Sequence, residues 1–142
     1  MWFVIILMYA TGLKADKRGG REVAYVAGTF TEIHVGCTGR LDARDPKELL
    51  IICGGERLAI PQSAIVSSRI VSTQQDARDL GIPDVMITPR KDLGLVYIRT
   101  AREVHNSNWL LLELPAVYAR KLVVYIIRAR EDRDAKDGAT TQ

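Results

Sequence analysis

The stretch that decides the fold runs from Trp109 to Ala129, WLLLELPAVYARKLVVYIIRA, the most apolar part of the chain. In its first half Leu110, Leu112 and Leu114 alternate with Trp109, Leu111 and Glu113, the two-residue period of a half-buried strand. Pro115 punctuates the run, and proline is favoured where a helix begins, because its missing N–H is one that no intrahelical acceptor would have used. Beyond it Tyr118, Leu122, Tyr125, Ile126 and Ala129 fall on one helical stripe. Leu122 to Ile127 is also rich in β-branched residues, which would suit a second strand. Helix is the preferred reading, because Ala116 to Arg120 precedes that run with good helix formers and no turn signal separates the two. A last strand followed by an amphipathic helix is therefore the expected core.

Upstream, LLIICGGERLAI is two apolar runs separated by Gly54 and Gly55, a pair suited to the positive φ torsions of a two-residue hairpin turn. Counting out from the turn pairs Cys53 with Glu56, Ile51 with Leu58 and Leu49 with Ile60 on a buried face, and Ile52 with Arg57 and Leu50 with Ala59 on the other. Pro61 stops that ladder, and Ile65, Val66, Ile70 and Val71 predict another extended segment. Ser72 or Thr73 is placed to cap a short surface helix through Leu80, with Asp76 near its positive end and Gly81 closing it. Val23 to Val35 reads as extended with a bulge at Gly28, Gly36 to Pro46 as a loop, Ile82 to Thr88 and Leu95 to Thr100 as strands, and Ala101 to Asn108 as the loop into Trp109.

Residues 1–21 form an apolar segment and a basic linker, residues 22–130 the single globular domain, and residues 131–142 a charged, flexible tail too poor in apolar side chains to order. Trp2 to Leu13 spans twelve residues, short of the roughly 20 that a spanning helix needs. Its alternation suits a covered first strand, the preferred reading. A membrane-surface segment is the alternative, because Lys14, Lys17, Arg18 and Arg21 follow the apolar run. That order of apolar run and positive charge also argues against a secretion signal.

The 142 residues fit one domain, and 20 basic against 17 acidic residues make a mixed surface rather than a basic one. Cys37 and Cys53 show no framework spacing and lie among apolar residues, so free thiols and a reducing, cytoplasmic compartment are expected. His34, Cys37, Cys53 and His105 would complete a tetrahedral zinc set only if the fold gathered them; their spacing is weak and no metal is assigned. Ser63, Ser67 and Ser68 sit in no nucleophile elbow. Asp76 with Asp79, and Asp42, Asp45 and Glu48, read as solvated surface acids. The glycine-rich stretches match no phosphate-binding or dinucleotide motif, so no cofactor is assigned. A second basic group, Arg120, Lys121, Arg128, Arg130 and Arg133, has an ordinary explanation as cations offsetting the dipole at a helix C-terminus.

Taken together, ELLIICGGERLAI, the following IPQSAIVSSRIV, and the closing GLVYIRT, WLLLELP and PAVYARKLVVYII resemble the pleckstrin-homology-like domains of bacteria and archaea over roughly residues 22–130. The excursion from Ser72 to Pro89 is longer than that pattern, and no basic cluster marks a lipid-headgroup pocket. The expected fold is α+β and mainly β, an antiparallel sheet or small split barrel capped by the C-terminal amphipathic helix. The resemblance implies a non-catalytic binding or scaffold module, acting in a protein assembly or at the cytoplasmic membrane surface. Lys14, Lys17, Arg18 and Arg21 are its expected binding residues, and no catalytic residue is assigned. The expected partner is another protein or a second copy, with self-association favoured because apolar surface exceeds what one small sheet covers. The alternatives are a nucleic-acid-binding protein using the basic segments and a small hydrolase-like enzyme without a recognisable motif.

Overall fold

The computed structural model describes residues 20–82, 92–103 and 106–140. Seven strands, β1 (Gly20–Gly28), β2 (Thr38–Asp42), β3 (Glu48–Cys53), β4 (Glu56–Pro61), β5 (Ile65–Val71), β6 (Leu93–Glu103) and β7 (Asn106–Pro115), form one antiparallel sheet in the order β4-β3-β2-β1-β7-β6-β5. Helix α1 (Gln74–Asp79) follows β5 and helix α2 (Ala116–Thr140) follows β7. The chain is thus α+β and mainly β, with an open sheet whose two edges, β4 and β5, are joined by the 3-10 turn Gln62–Ala64.

The Gly54–Gly55 hairpin has the register that its sequence dictates, from Cys53 opposite Glu56 out to Leu49 opposite Ile60. Leu49, Ile51, Cys53, Leu58 and Ile60 are each at most 3% exposed, as that register requires. Of the glycine pair, Gly54 alone takes a left-handed φ, at 60°. The period of two in β7 separates two cores. Leu110, Leu112 and Leu114 point into a large cluster with Val23, Tyr25, Val96, Ile98 and the helix residues Ala119, Leu122 and Ile126. Leu111 points the other way, into a smaller cluster with Val71, Ala77, Ile82 and Tyr97, against which Trp109 packs. Residues 122–127 are helical, and α2 lies against β5, β6, β7 and the 3-10 turn. Gly94 permits that approach: a Cβ there would meet the Ala119 Cβ at 2.8 Å, so a larger residue would push the helix off the sheet.

Three loop or tail expectations are corrected. TGRLD, placed in the Gly36–Pro46 loop by its glycine and aspartate, is β2, because β1 and β3 pair with it on both sides and bury Leu41. Residues 101–108 are no simple loop: β6 and β7 stay paired through Ala101–Ser107 to Glu103–Asn106. Neighbouring strands override weak local propensity in both cases. Residues 131–140, expected as a disordered tail, continue α2 to Thr140. Ala135 and Lys136 are good helix formers, and opposite charges recur one turn apart, Arg128 with Asp132 and Asp132 with Lys136, a spacing that supports a helix without apolar content. The bulge in β1 falls between Tyr25 and Ala27 opposite β7, two residues before the expected Gly28. The Ile82–Thr88 strand and the strand or membrane reading of residues 2–13 lie largely or wholly outside the described residues.

Helix α1 is built as its sequence indicates. Asp76 N donates to Thr73 Oγ1 at 3.1 Å, and the Asp76 carboxylate accepts from Thr73 N at 3.1 Å and Ser72 N at 2.9 Å, closing a capping box. Gly81 N then closes the helix on Arg78 O at 3.0 Å. Ala77 is the buried residue of the helix and seals the smaller core on the outer face of the sheet. The excursion after β5 therefore has a packing role. The Ser72 N–H, and with it the Thr73 backbone and hydroxyl, holds the Asp76 carboxyl below the usual carboxylate range. A group whose pKa is depressed by folding stabilises above its unfolded value, about 4 for aspartate, and loses that contribution as the pH falls through its folded value. Hydrogen-exchange protection at Ala77 is therefore expected to drop on acidification through this range in the native chain and to lose that acid step in Asp76→Asn. Thr73→Ala should cost about 1 kcal/mol. A protection profile that is flat in pH, with the cap intact, would contradict this account.

Candidate functional site

Cys37 precedes β2 and Cys53 ends β3, and because these strands are antiparallel neighbours the two residues come to a Cα–Cα distance of 5.9 Å and form a disulfide. Neither thiol is free, which corrects the reading of two isolated thiols. The premise for a reducing compartment falls with it, since disulfides persist mainly in oxidising surroundings. The pairing was not legible because TGRLD did not read as a strand. It also consumes two of the four residues of the zinc set. His34 is engaged elsewhere: its Nδ1 is bonded to Glu56 Oε1, and its N–H donates to the same oxygen at 3.2 Å. The His34 side chain and backbone hold the Glu56 carboxyl below its usual range. His105 lies outside the described residues.

The acidic residues weighed as a site serve local structure. Asp42 accepts from Arg44 Nη2 at 2.8 Å, an interaction that lowers its pKa, while Asp45 Oδ1 accepts from Lys47 N at 2.9 Å. Asp76 caps α1, and Asp79 accepts from Gln75 Nε2 at 2.8 Å. Of the expected binding residues, Lys14, Lys17 and Arg18 lie outside the described residues. Arg21 is exposed on β1 with its guanidinium carbon 4.2 Å from the centre of the Tyr118 ring, a cation–π contact that ties β1 to the first turn of α2.

Among the described residues, basic side chains of α2 gather at one groove. Arg120, Lys121, Arg128, Arg133 and Lys136 line one flank of the helix, and Lys47 faces them across a groove of about 920 Å³. Val124, Tyr125 and Ala129 form its apolar floor, and Asp132 is its one acidic lining residue. The opposite wall is joined by a backbone bond: Gln62 N donates to Lys47 O at 2.8 Å and links the β2–β3 loop to the 3-10 turn. The helix-dipole explanation of these cations does not survive the longer helix. Arg120, Lys121 and Arg128 sit well inside α2, the last turn before Thr140 carries no basic residue, and the dipole acts only within the terminal turn. Arg130 is different: its Nη1 donates to Val66 O at 2.6 Å and fastens the helix to the edge strand β5.

Gln62 lines the same groove and is 5% exposed, yet its Nε2 has no hydrogen-bond partner among the described residues. A buried amide left unbonded costs about 1–3 kcal/mol, so a partner group that satisfied it would gain by doing so. Ser63 lines the groove beside it, whereas Ser67 and Ser68 lie on β5. The sequence signal for the groove was present in Arg120, Lys121, Arg128 and Arg133. What it lacked was Lys47 and Gln62, brought opposite them by the turn from β4 into β5.

No protein-family model matches the chain, and no curated protein sequence is similar to it at a significant level.

Proposed function

We propose that the chain is a non-catalytic binding module of the pleckstrin-homology-like type, which docks an anionic partner in the groove between α2 and the Lys47–Gln62 wall. The observation that carries this reading is the groove itself, where cations flank an apolar floor across from Gln62, a buried amide without a partner among the described residues. The sheet order and the capping helix support the family reading. Among the described residues no helix is long and apolar enough to cross a membrane, and no cluster of three metal-ligating side chains occurs. Docking in a protein assembly or at a membrane surface is the proposed role. The Cys37–Cys53 bond favours an oxidising compartment over the cytoplasm for that role.

Reversing two groove charges, Arg128→Glu with Arg133→Glu, should leave the melting temperature within a few degrees of the native value, since exposed charges add little to stability. The same change should abolish binding to polyglutamate and to vesicles containing anionic lipid, measured by anisotropy and flotation at about 50 mM salt, where electrostatic attraction is only partly screened. Undiminished binding of both probes by the reversed variant would rule out the groove as the docking surface.

A second copy of the chain is the alternative occupant, favoured by one observation. Val117, Val124 and Ile127 are 51%, 45% and 45% exposed on α2, Val124 at the groove and the other two outside it, apolar surface that two helices could bury against each other.

A further inference from the structure

We infer that the groove is shaped for an acidic, amphipathic segment of a partner protein, an inference that rests on the binding-module reading above and names its ligand class. Four features define the occupant. The first is length: the cations from Arg120 to Lys136 extend along α2 for about 24 Å at the helical rise of roughly 1.5 Å per residue. That span matches about seven residues of extended peptide and exceeds a small metabolite. The second is charge, since Lys47, Arg120, Lys121, Arg128 and Arg133 converge on it against the single Asp132. The third is the floor of Val124, Tyr125 and Ala129, which would bury apolar side chains between the carboxylates. The fourth is Gln62 on the groove wall, whose buried Nε2 has no acceptor among the described residues and, on turning outward, would donate to a peptide carbonyl or carboxylate.

These features separate a peptide from the other polyanions. A bilayer presents a broad surface, whereas the groove is walled by the β2–β3 loop and the 3-10 turn, and Gln62 on that wall is 5% exposed. Single-stranded nucleic acid is gripped by stacking successive bases on aromatic rings, and among the described residues Tyr125 is the one aromatic side chain lining the groove. A peptide fits between these walls, with apolar and charged side chains alternating along it as the floor and rim do.

The test uses the full chain and two synthetic peptides of equal charge and length, one alternating glutamate with leucine and phenylalanine and the other glutamate with glycine. The expected result is at least about tenfold tighter binding of the apolar version by calorimetry, with burial of its side chains seen as a negative heat-capacity change. Gln62→Met should weaken that peptide about three- to tenfold, while leaving the melting temperature unchanged or raising it, because the substitution removes a buried unbonded amide. A purely structural glutamine would show the opposite pattern. Should Gln62→Met fail to fold, Val124→Ser on the exposed part of the floor replaces it and should narrow the difference between the peptides. Equal affinity for the two peptides, or a preference for anionic vesicles or oligonucleotides over both, would overturn the inference. If Arg128→Glu with Arg133→Glu still abolished binding of those probes, the groove would remain a docking site for a different anion. If it did not, the binding-module reading would fall as well.

Discussion

Lysine at Leu122 is expected to unfold the domain, whereas lysine at Val124 or Ile127 is expected to leave it folded. Leu122 is 5% exposed and packs in the main core with Ala119, Ile126 and the inward leucines of β7. Losing a buried leucine alone costs about 2–5 kcal/mol, and the ammonium group adds a desolvation penalty where no counter-charge waits. A domain whose whole stability is about 5–15 kcal/mol has little left after that. Val124 and Ile127 are both 45% exposed, so a lysine at either position keeps its ammonium group in water. These two variants also decide the self-association proposal. If copies pair through the exposed apolar residues of α2, light scattering will show a native dimer that Val124→Lys or Ile127→Lys converts to a folded monomer. A native mass that is monomeric across a concentration series would end that proposal, and unfolding by Val124→Lys would contradict the helix orientation.

Removing the disulfide is expected to have the next largest effect. Cys37 and Cys53 close a loop with a sequence separation of 16, for which the loss of unfolded-state restriction is about 3 kcal/mol. For a domain of this size the melting temperature should fall by about 10 °C on replacing both cysteines by serine, and reductant should lower the native chain towards the same value without affecting the variant. The bond joins the approach to β2 to the end of β3, so hydrogen exchange should quicken there first and leave β6 and β7 protected. Thiols that react freely in the denatured, unreduced chain, together with a melting curve indifferent to reductant, would contradict the disulfide.

Much of the fold could be read from short-range pattern, and the residues explain where reading stopped. LLIICGGERLAI carries its own register, because a two-residue turn and a period of two leave one pairing that buries all five core side chains of the hairpin. Thr73, Asp76 and Gly81 specify α1 through side chains that act on their own backbone. TGRLD has no such signal; it is a strand because β1 and β3 lie on either side, and that is a property of the sheet. The same missing strand hid the disulfide. On α2, apolar content decides as far as Ala129, after which helix propensity and charges one turn apart carry the helix on to Thr140. Extending the helix changed the meaning of Arg120, Lys121 and Arg128 from dipole partners to one wall of a groove. Lys47 and Gln62 complete that groove from distant parts of the chain, and no spacing rule connects them to α2.

The measurement that bears most directly on the groove as docking surface is a residue-by-residue map of backbone amide shifts as the acidic leucine- and phenylalanine-containing peptide is added to the isotope-labelled full chain. Shifts are expected at Lys47, Gln62 and Ser63 and along α2 from Arg120 to Arg133, with the Gln62 side-chain amide moving as it gains an acceptor. Shifts confined to the basic segment at Lys14, Lys17 and Arg18, or to the polar mouth lined by Thr29, Thr31, Thr100 and Asn108, would contradict docking in the groove.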